Sequence, residues 1–499
     1  MRAKTPEFSP SALGAPIYAH AQTAAGISSF PVAQAPGGMV IQQPAVARHK
    51  VRSGRREMLL LQIVMVGFAM FGKSFATLGV GPLMVAEPLL AYYFLRERGK
   101  VITNLLSQLV SLRFLAWIVV AVFLWGIIDV IRPVLAQHDA ISALRTSAFD
   151  YYPLFIFAGI AIGQKMSFDM LIRFSKTFLW CYLLYTIVFY AYGISAEIYV
   201  PWNGSWPLFM QPMNAPFAPL LVLCLWPVLK KWRFRWIALP GALFPMLEST
   251  GRGAFLGFGI GLAAVACASR RHRALVIWFL TATITFLTLV GPLIPSDGSH
   301  SQNLDPIIQV ARIVATVNTD AAYNMLEKRG YHQAATEIWI ANGTAEWRKT
   351  IWRNCMASLN TPSLLLMGQG HGAPLVNYIP DGQNISTPHN FMIYAIFYTG
   401  EIGLGLFLLL LLVMLIEARR IRDPNVWAIY VSNIVMTAMV AAVGNALETP
   451  MVSVPFYLIS GICLGLKVLP RHAAPLMHQP HRYLNPAPAA YPPAYMVPA

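Results

Sequence analysis

Charged side chains are scarce in this chain. They make up 12% of its 499 residues, whereas 56% of the residues are hydrophobic. Soluble domains average about 25% charged residues, so a chain with a mean hydropathy of +0.54 is too apolar to be a soluble domain of this size. Apolar runs of about 20 residues recur, and that length crosses roughly 30 Å of hydrocarbon. The composition therefore predicts a polytopic membrane protein.

Cysteine is also sparse, with five residues in the whole sequence. Cys181, Cys224, Cys267 and Cys463 lie within apolar runs, and only Cys355 lies in a loop. This distribution excludes a disulfide framework and a cysteine metal cluster, and it favours small buried hydrophobic side chains. The predicted outer loops contain no acidic metal-binding cluster either. We therefore expect no metal and no other cofactor.

Both ends of the chain lack hydrophobic periodicity. Residues 1–47 are rich in Ala, Pro, Gly and Ser, and residues 470–499 are rich in Pro, Ala, Tyr and His. Both stretches are predicted to be disordered tails. No apolar core follows a charged start, so we expect no signal peptide. Repeats of about 20–50 residues are missing as well, which excludes a solenoid.

Twelve apolar segments predict an all-α integral membrane protein. The segments span roughly residues 58–74, 76–95, 112–131, 148–164, 175–194, 207–229, 235–249, 253–268, 274–294, 389–416, 426–446 and 452–468. Nine transmembrane helices are thus predicted in residues 48–294 and three in residues 389–469. The polar residues 295–388 between them are predicted to form one large loop domain, with helical stretches near 305–340 and 345–360.

Basic residues predict the orientation of these segments. A net charge of +16 would favour nucleic acid as the partner of a soluble protein, but here most of the 37 basic residues fall in alternate loops and in the two tails. By the positive-inside rule, that side is the cytoplasm. Both termini are therefore predicted to be cytoplasmic, and the loop domain of residues 295–388 to lie on the outer side of the membrane. The opposite short loops contain only Lys73, Arg132, Arg145 and Arg252.

Arg252 lies between two glycines in the very short ESTGRG connection, at the start of the eighth segment. An arginine on this side of the membrane is costly unless something uses it, and its planar fork suits bidentate contact with phosphate oxygens. An arginine that snorkels to head groups, or that pairs with Glu248 four residues earlier, explains the same residue without any ligand.

Two more stretches place polar groups on the predicted outer face. In EWRKTIWRN, helical spacing puts Arg348 and Trp352 on one face and turns Arg353 away from it, although a helix resting on lipid gives the same pattern. His389 and Asn390 open the tenth segment. A histidine there can act as a general base, donate a hydrogen bond to a phosphate, or simply cap the helix.

The loop MGQGHG contains Gly368 and Gly370, which imply tight turns or close approach of the backbone to a ligand. It lacks the Lys-Ser/Thr pair of a nucleotide-binding loop. His371 within it has the pattern of an exposed residue.

Four stretches, in this order, resemble the O-antigen ligase and O-antigen polymerase superfamily of bacterial envelope glycosyltransferases. They are QPMN with Asn214, then ESTGRGAFLGF, then Arg348 and Trp352 followed by Pro362, Gly368 and Gly370, and finally His389-Asn390 followed by Gly400, Gly403 and Gly405. The chain departs from the family pattern in residues 195–216, which contain no arginine, and in Gln369-Gly370-His371.

The resemblance implies a multi-pass protein of the bacterial inner membrane that acts as a metal-independent, inverting glycosyltransferase. Its donor would be a glycan on a polyisoprenyl (undecaprenyl) diphosphate, used at the periplasmic face. Arg252 and Arg348 would grip the diphosphate, and His389 would activate the acceptor hydroxyl or steady the leaving diphosphate. Further substrate contacts are predicted for Asn214, Trp352, Arg353, Gly368, Gly370 and Asn390.

Two activities share this donor. A polymerase joins lipid-linked repeat units into exopolysaccharide or O-antigen on a saccharide or lipid-linked acceptor, whereas a ligase moves finished glycan onto lipid A core. The motifs do not separate the two, and the polymerase is our prediction. A transporter or flippase would favour a long cytoplasmic loop after the sixth segment, where this chain has the short KKWRFR. The expected partners are membrane lipid and other polysaccharide export components, and not nucleic acid.

Overall fold

A computed structural model describes thirteen stretches of the chain. They are residues 46–78, 84–96, 98–110, 113–135, 140–191, 199–200, 203–209, 217–248, 252–289, 305–315, 318–375, 387–444 and 446–466. Asn214 and nearly all of the two predicted tails lie outside the described residues. The chain divides into residues 1–50, of which only the start of the first helix is described, and residues 51–499, which contain every other described element.

Helices dominate the described part of the chain. They are α1 (Val46–Ala76), α2 (Ala86–Arg96), α3 (Arg98–Val110), α4 (Phe114–Leu135), α5 (Ala140–Thr146), α6 (Ala148–Tyr151), α7 (Phe155–Gly163), α8 (Phe168–Ala191), α9 (Phe217–Leu225), α10 (Arg235–Glu248), α11 (Arg252–Ala268), α12 (Arg270–Leu289), α13 (Pro306–Val314), α14 (Thr319–Glu327), α15 (His332–Ala357), α16 (Pro362–Met367), α17 (Phe391–Glu417), α18 (Pro424–Val443) and α19 (Pro450–Gly465).

Five stretches of helix are long and apolar enough to cross a membrane. Among the described residues these are Met58–Ala76, Phe114–Leu135, Phe168–Tyr190, Phe391–Arg420 and Pro424–Val443. The shorter stretches Ala148–Gly163, Gly253–Ala268 and Pro450–Gly465 are also apolar. A helical protein with several candidate membrane spans is thus confirmed, whereas the number twelve stays a prediction.

In two predicted segments, the described residues form one short helix each. Within 76–95 the helix α2 has 11 residues, and within 207–229 the helix α9 has nine. Pro216 directly precedes α9 and Pro227 lies just beyond its end. Because proline lacks an amide hydrogen and disfavours a helical conformation in the residue before it, these two positions bound α9 in an otherwise continuous apolar run.

A small hairpin between α8 and α9 departs from the all-α prediction. Its strands β1 (Tyr199–Val200) and β2 (Asn203–Pro207) pair antiparallel, with Tyr199 opposite Pro207 and Val200 opposite Asn203. The aromatic and β-branched residues of this stretch have high strand propensity. Hydropathy over long windows does not register so short a pair of strands.

Small residues bring α7 and α19 into direct backbone contact. A Cβ atom on Gly159 would lie 2.5 Å from the carbonyl oxygen of Leu458, and one on Gly461 would lie 2.1 Å from that of Ile156. Each helix repeats glycine four residues later, at Gly163 and Gly465. This spacing is the pattern by which membrane helices pack closely without a hydrophobic driving force between them.

The predicted loop domain contains α13 to α16. Residues of α13, α14 and the beginning of α15 form a separate hydrophobic core that includes Ile308, Leu326 and Ile338. Farther along α15, Ile351 and Cys355 are buried in the main core of the protein. The single long helix α15 therefore joins the two cores, and Arg348 lies close to the point where it enters the main one.

A break at Gly400 divides α17. Gly400 has a φ of +68°, so the helix does not continue regularly through it. The carbonyl oxygens in the turn before Gly400 therefore lose the N–H donors that a regular helix would supply four residues later. Because buried backbone groups need partners, other donors must replace them. Three groups supply them: Gln369 N–H donates to Phe397 O at 2.7 Å, Gly370 N–H to Tyr398 O at 3.0 Å, and Trp125 Nε1–H to Thr399 O at 3.1 Å.

The glycine loop packs against this break. A Cβ atom on Gly368 would lie 2.4 Å from Tyr398 O, one on Gly400 would lie 2.2 Å from Leu366 O, and one on Gly370 would lie 3.1 Å from Pro133 of α4. Gly368 and Gly370 are both buried. The close backbone approach that the sequence predicts for them is made to α17 and α4, so we no longer assign them to substrate.

His371 is fully buried, which makes the expectation of an exposed residue wrong. Its Nε2 lies 2.7 Å from Asp150 Oδ2, and its ring stacks on Tyr398 at 5.6 Å. Glycine-rich loops usually lie at the surface because their polar backbone needs partners. Here the carbonyls of the broken helix α17 accept hydrogen bonds from the loop backbone, and Asp150 is the hydrogen-bond partner of the buried imidazole.

Candidate functional site

The helix α15 presents Arg348 and Trp352, one turn apart, to the segment that leads into α17. Trp352 Nε1–H donates to the carbonyl of Pro388 at 2.7 Å, and Arg348 lies close enough for its charge to act on His389. The predicted common face of these two side chains is confirmed. Arg353, predicted to point elsewhere, is exposed. The ring of Trp347 lies 6.2 Å from the ring of His389.

His389 has an unusual backbone conformation. Its φ is +55°, and among the described residues no other residue apart from glycine has a positive φ. Such a conformation costs on the order of 1–3 kcal/mol and persists only where the surroundings impose it. Here Trp352 holds the residue before it and Asn390 caps the helix after it. These contacts therefore hold the backbone of His389 in this conformation next to α15.

Asn390 is a helix cap. Its Oδ1 accepts from the N–H groups of Met392 at 2.8 Å and Ile393 at 3.2 Å, and its Nδ2 donates to Ala442 O at 3.0 Å. The side chain is buried, and backbone atoms engage both ends of the amide. We therefore assign Asn390 to the positioning of His389 and not to the predicted contact with substrate.

The surroundings of His389 are cationic. Burial, the charge of Arg348 and the charge of Lys73 together lower the pKa of His389 to about 4. Burial also lowers the pKa of Arg348, whose buried Nε has no hydrogen-bond partner among the described residues. Near neutral pH the imidazole is thus uncharged beside two cations. An anion bound here would compensate the charge of the half-buried Arg348, which is otherwise costly to bury.

Arg252 is the first residue of α11, and its side chain lies outside the described part of the structure. Its backbone position can still be traced through its neighbour, because a Cβ atom on Gly253 would lie 2.9 Å from Val443 Cγ2. Ala442, the residue before Val443 in α18, accepts the hydrogen bond from Asn390 of the segment that leads into α17. The starts of α11 and α17 therefore meet at the end of α18, as the predicted convergence of these segments requires.

A cavity of about 220 Å³ opens at this end of the helices. Four of its lining residues are ionisable residues of opposite sign: Lys73, Glu87, Arg145 and Glu448. Its other polar lining residues are Thr77, Thr146, Tyr151, Tyr152, Thr387, Tyr394 and Thr449. Thr387 lies two residues before His389, so the cavity and the histidine belong to one region.

Sequence reasoning did not assign these cavity residues to the site. Lys73 and Arg145 carried a usable signal, because both break the positive-inside bias in the same way as Arg252. Glu448 was visible only as a polar residue in the short connection before α19. Glu87 carried a signal that sequence reasoning did not use, because an ionisable residue inside an apolar run of membrane length is costly and rare.

The two carboxylates of the cavity differ in their bonding. Glu87 accepts from Met84 N–H at 2.8 Å and from the hydroxyl of Tyr151. Glu448 Oε2 accepts from Ala446 N–H at 3.0 Å, whereas its buried Oε1 has no hydrogen-bond partner among the described residues. Burial raises the pKa of Glu448 to about 7, against the opposing effects of its own and the Ala446 N–H groups and of Lys73.

A second, apolar cleft of about 100 Å³ adjoins the charged cavity, and Met451 lines both. Its walls come from α1, α8, α9, α18 and α19 and include Met65, Phe68, Phe178 and Val440. On α1, the cleft residues precede Lys73 by about one to two turns. The cleft thus continues from the charged cavity along the apolar part of the helices.

Within the described ranges, no group of three or more His, Cys, Asp and Glu side chains is arranged to hold a metal ion.

If His389 takes part in a reaction, replacing Trp352 with phenylalanine should lower turnover about fivefold. The change removes one hydrogen bond to Pro388, worth about 1 kcal/mol, and loosens the segment that holds His389. Steady-state kinetics separates this effect from lost substrate contact, because mispositioning lowers kcat whereas a lost contact raises KM. Trp347→Phe is the matched control, since its indole N–H donates to no described residue. An equal loss in both variants would contradict the positioning role of the Trp352 hydrogen bond.

Comparisons of the chain with protein-family models and with curated proteins find no match.

Proposed function

We propose that this chain is a glycosyltransferase of the bacterial inner membrane that polymerises polyisoprenyl-diphosphate-linked repeat units at the periplasmic face. The finer topology belongs to the same proposal: twelve spans, both termini in the cytoplasm, and the domain built from α13 to α16 in the periplasm. The observation that carries it is the proximity of Arg348 and Lys73, from segments far apart in sequence, to His389. Lys73 also lines the charged cavity, and Thr387, two residues before His389, lines it as well.

The chemistry of the donor matches this group of residues. Glycosyl transfer breaks the bond between the anomeric carbon and the diphosphate, and negative charge grows on the leaving oxygen. Cationic groups held in place before the reaction stabilise that charge without reorganising, which is commonly the largest contribution to catalysis. Arg348 and Lys73 are the described cations beside His389, and Arg252 begins a helix at the same end of α18.

His389 acts on the donor side in this proposal. With a pKa of about 4, the imidazole is neutral near pH 7 and donates one hydrogen bond to a phosphate oxygen. Its imposed backbone conformation keeps it beside Arg348. Both groups would therefore contact the same diphosphate, as the resemblance of this stretch to the O-antigen superfamily implies.

The apolar cleft suits the hydrocarbon chain of the carrier. It shares Met451 with the charged cavity and is lined mostly by apolar side chains. A lipid diphosphate has this same division into a charged head and an apolar chain. A soluble nucleotide sugar has no chain to place there.

Reconstitution of the full-length protein with a defined lipid-diphosphate oligosaccharide tests this function. We expect products that grow by whole repeat units, released lipid diphosphate, and no requirement for a nucleotide sugar or a divalent cation. Product size is read by electrophoresis or mass spectrometry. If the protein transfers glycan only when lipid A core is added, it is a ligase. If it moves the donor across the bilayer with no new glycosidic bond, the proposal is wrong.

A further inference from the structure

We propose that Glu448 is the general base of this transfer and accepts the proton of the acceptor hydroxyl, while His389 serves the donor. The inference deepens the proposed function and rests on it. It assigns acceptor activation to the short connection between α18 and α19, a polar connection to which the sequence pattern assigned no role.

The first support is the position of Glu448. The residue lines the charged cavity directly ahead of Thr449 and Pro450, where α19 begins. The Ala446 N–H group holds one carboxylate oxygen, Oε2, at 3.0 Å. The other oxygen, Oε1, is buried and accepts no hydrogen bond from a described residue. One oxygen of this carboxylate is thus held in place, and the other can accept a hydrogen bond from an acceptor hydroxyl.

The second support is the comparison with the other candidate bases. Glu87 lines the same cavity, but both of its oxygens are engaged, by Met84 N–H and by the Tyr151 hydroxyl. His389 has a pKa of about 4, which makes its imidazole a weak base. The pKa of Glu448 is about 7, close to the value at which a base is both deprotonated and strong near neutral pH.

The charged and titratable groups around Glu448 come from several elements. They are Lys73 of α1, Glu87 of α2, Arg145 of α5, Tyr151 of α6, Tyr152 after α6, and Tyr394 of α17. Lys73 favours the carboxylate form of Glu448, although burial outweighs it. Lys73 also acts on His389. The charge of a single lysine therefore acts on both the proposed base and the histidine of the proposed donor site.

The proposed transfer forms one bond and breaks one bond. The acceptor hydroxyl oxygen forms a bond to the anomeric carbon of the donor, and the bond from that carbon to the diphosphate oxygen breaks. The electron pair of the broken bond leaves with the lipid diphosphate, beside Arg348 and His389. The hydroxyl proton passes to the Glu448 carboxylate and then to solvent. The products are one glycosidic bond and one lipid diphosphate, with no change in oxidation state.

The test is Glu448→Gln, which keeps the shape of the side chain and removes its basicity. We expect kcat to fall about 100- to 10,000-fold, the range for loss of a general base. Binding of the lipid-diphosphate donor, measured separately with the purified full-length protein, should be unchanged or tighter because a negative charge beside Lys73 is lost. An intact kcat, or a parallel loss of donor binding, would overturn the assignment.

The pH profile provides a second, independent readout. In wild type, kcat/KM should rise about tenfold per unit as the pH rises toward about 7 and then level off, because Glu448 must be deprotonated. The rise should persist in Glu87→Gln and His389→Asn and vanish from the residual activity of Glu448→Gln. Loss of the rise in Glu87→Gln or His389→Asn would identify a different base.

These experiments distinguish the two proposals. If wild type neither binds nor transfers a lipid-diphosphate glycan, the proposed function itself has failed. If wild type transfers normally and Glu448→Gln does too, only the assignment of the base has failed. Glu448→Asp, which keeps the carboxylate but shortens the side chain, should recover part of the activity, and its failure to exceed Glu448→Gln would contradict proton transfer at this position.

Discussion

Replacing Arg348 with alanine is expected to lower glycan transfer by about 100- to 1000-fold, the usual effect of removing one preorganised group that stabilises a leaving oxyanion. Arg348 is half-buried, and its charge acts on His389. Arg348 lies on the part of α15 that packs into the main core. A cation at the exposed surface of the helix would not reach the position of its guanidinium group. Transfer by purified protein and the amount of protein in the membrane are the two quantities to measure.

The matched control is Lys349→Ala on the same helix. Lys349 is exposed and pairs with Glu346 at 2.6 Å, so its loss should leave transfer within about twofold of wild type. Arg348→Lys keeps the charge but loses the planar fork, and we expect activity between those of wild type and Arg348→Ala. Full activity of Arg348→Lys would show that the fork is not used, and full activity of Arg348→Ala would remove Arg348 from the site.

Gly400→Ala is expected to lower the free energy of unfolding by about 3 kcal/mol or more. The left-handed φ of +68° disfavours any L side chain, and the new Cβ atom would lie 2.2 Å from Leu366 O and 2.5 Å from Met367 N. Neither contact can be relieved by a rotamer change, because both atoms belong to the backbone. The thermal midpoint of the detergent-solubilised protein and its yield as a single species measure the effect.

Gly405→Ala, five residues farther along the same helix, is the matched control. A Cβ atom there meets nothing within 4 Å, and alanine gains about 1 kcal/mol of helix propensity over glycine. We therefore expect wild-type or slightly higher stability. A tolerated Gly400→Ala would mean that α17 is not held in its broken form by the loop at residues 368–372.

Several features of this protein could be predicted from pattern alone. Long apolar runs identify the helices of a membrane protein because hydrocarbon demands internal backbone hydrogen bonding over a known length. The i, i+4 spacing of Arg348 and Trp352 identifies their common face, which the hydrogen bond from Trp352 to Pro388 confirms. A cation that breaks the positive-inside bias is also informative. Its placement costs free energy, and a bound ligand is one explanation of that cost.

Other features depend on contacts between distant parts of the chain. The glycine loop has the local pattern of a ligand-binding turn, but its amides satisfy carbonyls that a break in α17 frees some 30 residues later. Asn390 has the pattern of a polar site residue, but its neighbours make it a cap. Glu87 lies in an apolar run, and only the tertiary structure brings it to Tyr151 of α6 and to the cavity.

The sequence by itself determined that this chain is helical and has several stretches long and apolar enough to cross a membrane, because both follow from local composition and spacing. Only the tertiary structure decided which side chains meet. It buried His371 against Asp150, gave His389 its left-handed conformation beside Arg348, and brought Glu448 to a cavity with Lys73. Burial and the proximity of charges set the pKa of a carboxylate or an imidazole, and both are properties of the packed helices.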